Sequence, residues 1–197
     1  MKLLRPLQAH APTRKPPEIL GKRSAAKSRF FEVEAVQLRF ASGAEREFER
    51  IAAPNTAGTV IVVAVPAPGK VLLVREYAVG LERYELGLPM GGVDAGESML
   101  QAANRELREE TGYAARNLRS IATLSLAPCI FAYRAHIVLA TDLVPDQAVG
   151  DEPEALEVLT VPIDELEVMV ARGELTEARS LAALFIAREE LRLRPPR

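Results

Sequence analysis

The chain has 197 residues, of which 48% are hydrophobic and 26% charged, with 25 Lys and Arg against 27 Asp and Glu. That balance suits a soluble globular chain with one good core, and a formal net charge of −2 gives no overall reason to expect nucleic acid as a partner. Cys129 has no second cysteine to pair with, which fits a reducing cytosol, and no apolar run approaches the roughly 18 residues of a membrane span, so a cytoplasmic protein that engages no membrane is expected.

Residues 1–27 read as a flexible basic N-terminal arm. Residues 1–30 carry eight Lys or Arg against Glu18, there is no continuous apolar stretch of a secretory signal, and Pro6, Pro12, Pro16 and Pro17 interrupt any amphipathic targeting helix. Residues 28–51 read as an antiparallel β-hairpin: FFEVEAVQLRF, the turn Ala41-Ser42-Gly43, then EREFERI. After a break at Asn55 to Gly58, residues 52–197 form the main domain. TVIVVAV (59–65) and KVLLVREY (70–77) are apolar enough for central strands, joined by the turn Pro66-Ala67-Pro68-Gly69. A short segment, Tyr84-Glu85-Leu86, leads to a glycine-rich loop through Gly96 and a helix over about 98–111. Further strands are expected near 119–126, at 135–141 and at 155–161, with an acidic loop over 142–153. Helices at about 163–172 and 177–192 close the chain. Strands on both sides of a central helix, with helices left to cover a sheet, imply an α+β sandwich with a mixed sheet.

The stretch Gly91 to Tyr113, GGVDAGESMLQAANRELREETGY, carries most of the functional information. Ser98 and Gln101 have the spacing of a capping box, and Gly112 stands where a left-handed cap would end the helix. Met99, Ala103 and Leu107 supply an apolar stripe. Glu106, Glu109 and Glu110 fall at i, i+3 and i+4, so three carboxylates share an arc of about 100°. Like charges that close repel, and a chain that gathers them usually needs a cation there. Oxygen donors with no Cys or His among them point to Mg²⁺ or Mn²⁺ rather than zinc.

The fixed positions, Gly91, Glu97, Arg105, Glu106, Glu109, Glu110 and Gly112, with the aliphatic Leu107 among them, resemble the Nudix box. Seven fixed residues at background frequencies of about 6–7% each should coincide by chance in about one window in 10⁸. Tyr113 departs from the usual aliphatic at the last position, where the side chain packs. Pro128 lies fifteen residues beyond Tyr113, as in ADP-ribose pyrophosphatases, while Tyr133 fits the spacing of diadenosine-polyphosphate hydrolases poorly. With SRFFEVEAVQLRF, VREYAVG, YELG, APCIFAY, GDEPE and EARSLAALF, residues 18–192 look like the ADP-compounds hydrolase (NudE) and ADP-ribose pyrophosphatase branch of the superfamily.

The resemblance implies a Nudix-type α/β/α sandwich and hydrolysis of the pyrophosphate in ADP-ribose, NADH or short diadenosine polyphosphates, with release of AMP. It implies Mg²⁺ or Mn²⁺ held by Glu106, Glu109 and Glu110, with the Met90 carbonyl as a further donor, and Arg105 paired with Glu97. It also implies a base from the acidic loop, with Glu152 the best match and Glu154 the second; Glu109 is the candidate if the loop is not used. Phosphate contacts fall to Arg75, Arg83 or Arg134, and adenine stacking to Phe30, Phe31, Tyr77 or Tyr133. A homodimer whose N-terminal hairpin reaches the partner is implied as well. The alternatives are a Nudix enzyme of another nucleotide preference and a non-catalytic nucleotide sensor.

Overall fold

In the computed structural model, which describes residues 14–52, 58–150 and 152–194, the chain folds as two units, Met1–Ala52 and Ala53–Arg197. The first is an antiparallel sheet of β1 (Glu18–Lys27), β2 (Glu32–Arg39) and β3 (Glu45–Ile51), in that order. Ser28 turns the chain between β1 and β2, its hydroxyl accepting the backbone N–H of Phe31 at 2.9 Å. Gly43, at φ +82°, makes the second turn. Val36 in the middle strand pairs with Lys22 on one side and Phe48 on the other.

This corrects two expectations. Glu18–Lys27 is a strand rather than part of a flexible arm, and the element is a three-stranded sheet rather than a hairpin. β1 is almost wholly exposed, so it has no buried face to write an alternating pattern into the sequence. Ladder hydrogen bonds to β2 and cross-sheet ion pairs such as Arg23–Glu47 (2.7 Å) hold it instead. Residues 1–13, the rest of the expected arm, lie outside the described residues.

The second unit runs β4 (Thr59–Ala64), β5 (Lys70–Ala78), β6 (Arg83–Gly87), β7 (Met90–Gly92), α1 (Met99–Thr111), β8 (Tyr113–Ser125), β9 (Arg134–Pro145), β10 (Glu157–Pro162), α2 (Leu166–Ala171) and α3 (Ala178–Leu193). One sheet has the order β10-β5-β6; the other, β7-β4-β9-β8, is mixed because β4 and β9 are parallel. The continuous apolar text of β4 follows from burial on both faces. Val60, Val62 and Ala64 pack with Ala102, Ala103 and Leu107 of α1. Ile61 and Val63 face the opposite way, into a core shared with Val71 and Leu73 of β5 and with Ala183, Leu184 and Ala187 of α3. The α+β sandwich with a mixed sheet is the fold.

Two boundaries matter for the site. β8 begins at Tyr113, directly after the α1 cap, and pairs there with Pro145 at the end of β9. The acidic loop therefore leaves β9 beside the C-terminal end of α1. On the other side, Gly91 pairs with Val60 and Gly92 with Thr59, which places the start of the box on the edge of the four-stranded sheet.

Candidate active site

α1 begins and ends as its sequence dictates. Ser98 Oγ accepts the Gln101 N–H at 3.3 Å, Gln101 Oε1 accepts the Ser98 N–H at 2.9 Å, and Gly112 closes the helix at φ +75°. The docked stripe is shifted from the expected one: Ala102, Ala103 and Leu107 are buried, whereas Met99 is exposed.

That rotation carries two carboxyl groups inward. Glu106 and Glu110 are only 9% and 8% exposed, and Glu109 is intermediate. Burial pushes the Glu110 carboxyl up to about 9, and the charges of Glu106, Glu76 and Glu152 push the same way against the Met90 N–H, which donates to it at 3.3 Å. Glu106 occupies space that only glycine leaves open, since a Cβ at Gly91 would collide with its carboxylate.

Arg105 is the counter-charge. Its Nε and Nη2 donate to the two oxygens of Glu97, each at 3.1 Å, which holds Glu97 below the usual carboxylate range. Nη2 also donates to the Gly92 carbonyl at 2.9 Å, and Nη1 reaches Glu106 at 2.8 Å and Glu109 at 3.1 Å. One guanidinium thus ties the loop before α1 to the helix. Among the described residues no group of three His, Cys, Asp or Glu side chains stands ready as a metal cage. The donor chemistry nevertheless fits a hard divalent cation: all-oxygen donors, two of the three carboxyls buried together, and one of these driven toward protonation by burial and then by the Glu106 charge.

The acidic loop is fastened to the same helix. The Asp146 N–H donates to the Gly112 carbonyl at 2.9 Å, and Gln147 Nε2 donates to the Arg108 and Glu109 carbonyls, both at 3.3 Å. Gly150 lies against Glu109, where an added Cβ would meet the Glu109 Cβ at 3.2 Å. Glu152 then lines a cavity of about 530 Å³ together with Gly91, Arg105, Glu106 and Glu109. Glu154 does not line it; its Oε1 accepts the Tyr84 hydroxyl at 2.6 Å.

A second cavity of about 560 Å³ shares Met90 with the first. Tyr77 lines it, as do Glu76, Glu85, Glu177 and Arg179, none of which the sequence reading singled out as site residues. They come from β5, β6 and the start of α3, so only the fold brings them together. The fragments VREY and EAR hold three of them, but a single sequence gives no spacing rule that joins them. The remaining candidates lie elsewhere. Arg75 pairs with Glu157 at 2.8 Å, Tyr133 packs on Phe131 with ring centres 5.3 Å apart, and Arg134 is an exposed residue opening β9; none of the three lines either cavity. Phe31 belongs to the N-terminal unit and is exposed.

A family model described as NUDIX domain matches residues 55–184. The chain belongs to the Nudix hydrolases. This Nudix hydrolase also matches, over residues 17–50, the NudE-type Nudix hydrolase N-terminal domain, a segment that takes in all of β1 and β2 and most of β3. It is 43% identical over 176 residues to the ADP compounds hydrolase NudE of Escherichia coli (strain K12), an overlap spanning 89% of this chain and 94% of that protein. Identity to the ADP-ribose pyrophosphatase of Bacillus subtilis (strain 168) is 31% over 154 residues, 77% of this Nudix hydrolase and 80% of the relative. A crystal structure of an ADP compounds hydrolase is similar at a TM-score of 0.85 and 40% identity, covering 94% of this chain and 99% of the other. Nudix hydrolases generally need divalent metal ions. Among the described residues no helix is long and apolar enough to cross a membrane.

Proposed function

We propose that this Nudix hydrolase cleaves the pyrophosphate of ADP-linked compounds (ADP-ribose, NADH and short diadenosine polyphosphates), releasing AMP with Mg²⁺ or Mn²⁺ as cofactor, and that it acts in the cytoplasm as a homodimer. The observation that carries the reading is the convergence of Glu106, Glu109 and Glu152 on one cavity, with Glu110 buried beside Glu106 and Met90. The 43% identity to an ADP compounds hydrolase supports the substrate class.

Glu106, Glu109 and Glu110, with the Met90 carbonyl, would hold the cation. Once bound, it neutralises charge on the pyrophosphate, polarises a phosphoryl oxygen and makes water a better nucleophile. Glu152 takes a proton from the attacking water; a new P–O bond forms at one phosphorus, and the bridging P–O bond breaks with its electrons leaving on the second phosphate. Glu152 suits this role because it enters the cavity from the loop and not from the helix that carries the ligands. Arg105 and Glu97 hold the loop before α1 against the helix, and Arg105 is not required to touch substrate. Tyr77 offers a ring to the base or ribose in the second cavity. Arg75 and Arg134 are the candidates for phosphate contact, and Tyr133 and Phe31 further candidates for stacking on the base.

Product analysis is the test. With Mg²⁺, ADP-ribose should give AMP and ribose 5-phosphate in equal amounts. Release of free adenine without AMP would mean that a different bond is cut and would overturn the reading.

A further inference from the structure

The loop that carries Glu152 is fastened at both ends, by different parts of the fold. Its first half is bound to α1 through Asp146, Gln147 and the close approach of Gly150 to Glu109. Its second half meets β6, where the Tyr84 hydroxyl donates to Glu154 Oε1 at 2.6 Å. Tyr84 is well placed for this. It lies directly across the β5–β6 ladder from Tyr77, and the two rings meet edge to face with centres 5.5 Å apart. The ring packs against Tyr77 while its hydroxyl points at the loop. Pro153 separates Glu152 from Glu154, so the backbone between them has one dihedral already restricted. Restraining Glu154 restrains Glu152.

We infer that Tyr84 is a positioning residue that sets the reach of Glu152 into the carboxylate cavity by anchoring Glu154. The inference rests on the proposal that Glu152 is the base. It assigns Glu154 to holding the loop, and it accounts for two glutamates two residues apart in one short loop doing different work.

The test uses steady-state hydrolysis of ADP-ribose by the full chain across a Mg²⁺ titration, with five variants. Tyr84→Phe keeps the ring against Tyr77 and removes only the hydroxyl; turnover should fall about three- to tenfold, while KM and the Mg²⁺ requirement stay within about twofold of wild type. Glu154→Ala should do the same, and the double variant should be no slower than either single one, because both remove one bond. Glu154→Gln keeps an acceptor oxygen and should recover most of the turnover that Glu154→Ala loses. Amide exchange over residues 147–156 should quicken in Tyr84→Phe, and its thermal midpoint should stay close to that of wild type. Multiplying losses in the double variant, or a Tyr84→Phe rate equal to wild type, would overturn the anchoring. A Glu154→Gln rate as low as that of Glu154→Ala would overturn it too, because the carboxylate itself would then be needed. Glu152→Gln separates the two readings: its collapse beside an unaffected Tyr84→Phe defeats the anchor alone, whereas wild-type turnover by Glu152→Gln defeats the base assignment and this inference together.

Discussion

Glu110 is a carboxyl whose surroundings oppose its own ionisation. Burial acts first and the Glu106 charge second, and together they lift it to about 9. The sign of the consequence is the reverse of the usual carboxylate case. A folded-state value above the unfolded one means that protonated Glu110 favours the folded chain at pH below the ordinary carboxylate value; that contribution is lost as pH climbs toward about 9. With a chelator present, wild type should therefore lose thermal stability relative to Glu110→Gln as the pH is raised from about 5 to about 8. Added Mg²⁺ should restore wild type but not the variant, which differential scanning calorimetry can follow. The same substitution should nearly abolish hydrolysis, since catalysis of this kind is largely electrostatic; turnover within about threefold of wild type at saturating Mg²⁺ would refute the ligand assignment.

At the level of elements, α3 reaches the site through its first turn. Glu177 caps the helix: its Oε2 accepts the Ser180 N–H at 2.7 Å and the Ser180 hydroxyl at 2.8 Å. The hydroxyl of Ser180, fully buried, accepts the Leu88 N–H at 2.9 Å, so the cap of α3 is joined to the segment leading into β7. Ser180→Ala leaves the Leu88 N–H without a partner and should cost about 1–3 kcal/mol in urea or thermal denaturation. A cost below about 0.5 kcal/mol would mean that water or a local shift replaces the bond. This network also marks the limit of what the sequence could tell. The box helix was legible because its caps, its apolar stripe and its carboxylates are all written within two dozen residues. β1 was not, because an exposed strand has no apolar face to betray it. Nor were Glu76, Glu85 and Arg179, whose meeting depends on how β5, β6 and α3 pack. The loop that bears Glu152 and Glu154 was legible too, but only the fold shows that Glu152 lines the carboxylate cavity while Glu154 accepts the Tyr84 hydroxyl.

On the scale of the whole molecule, the N-terminal unit is built on a three-stranded sheet, running from Glu18 to Ile51, that leaves Ile19, Phe30, Phe31 and Phe48 exposed. A sheet so small buries little apolar surface of its own, and a domain of that size commonly needs a further partner for stability. The chain is expected to be a homodimer at micromolar concentration by light scattering. Removal of residues 1–51 should yield a monomer with weakened nucleotide binding. A full-length monomer, or a truncated chain that still dimerises, would contradict that assembly.

The fastening of the acidic loop to α1 has a consequence for mechanical tolerance. Where two reacting groups sit on separate elements, the error in their separation accumulates across every contact between them. Here the proposed ligands and the start of the loop that carries Glu152 share a datum, the last turn of α1, through bonds from Asp146 and Gln147 to the carbonyls of Gly112, Arg108 and Glu109. Those bonds join helix and loop directly, without passing through the sheet. The first half of the loop thus keeps its place beside the proposed ligands through a handful of short local links, and only its second half, through the Tyr84–Glu154 bond, answers to the sheet.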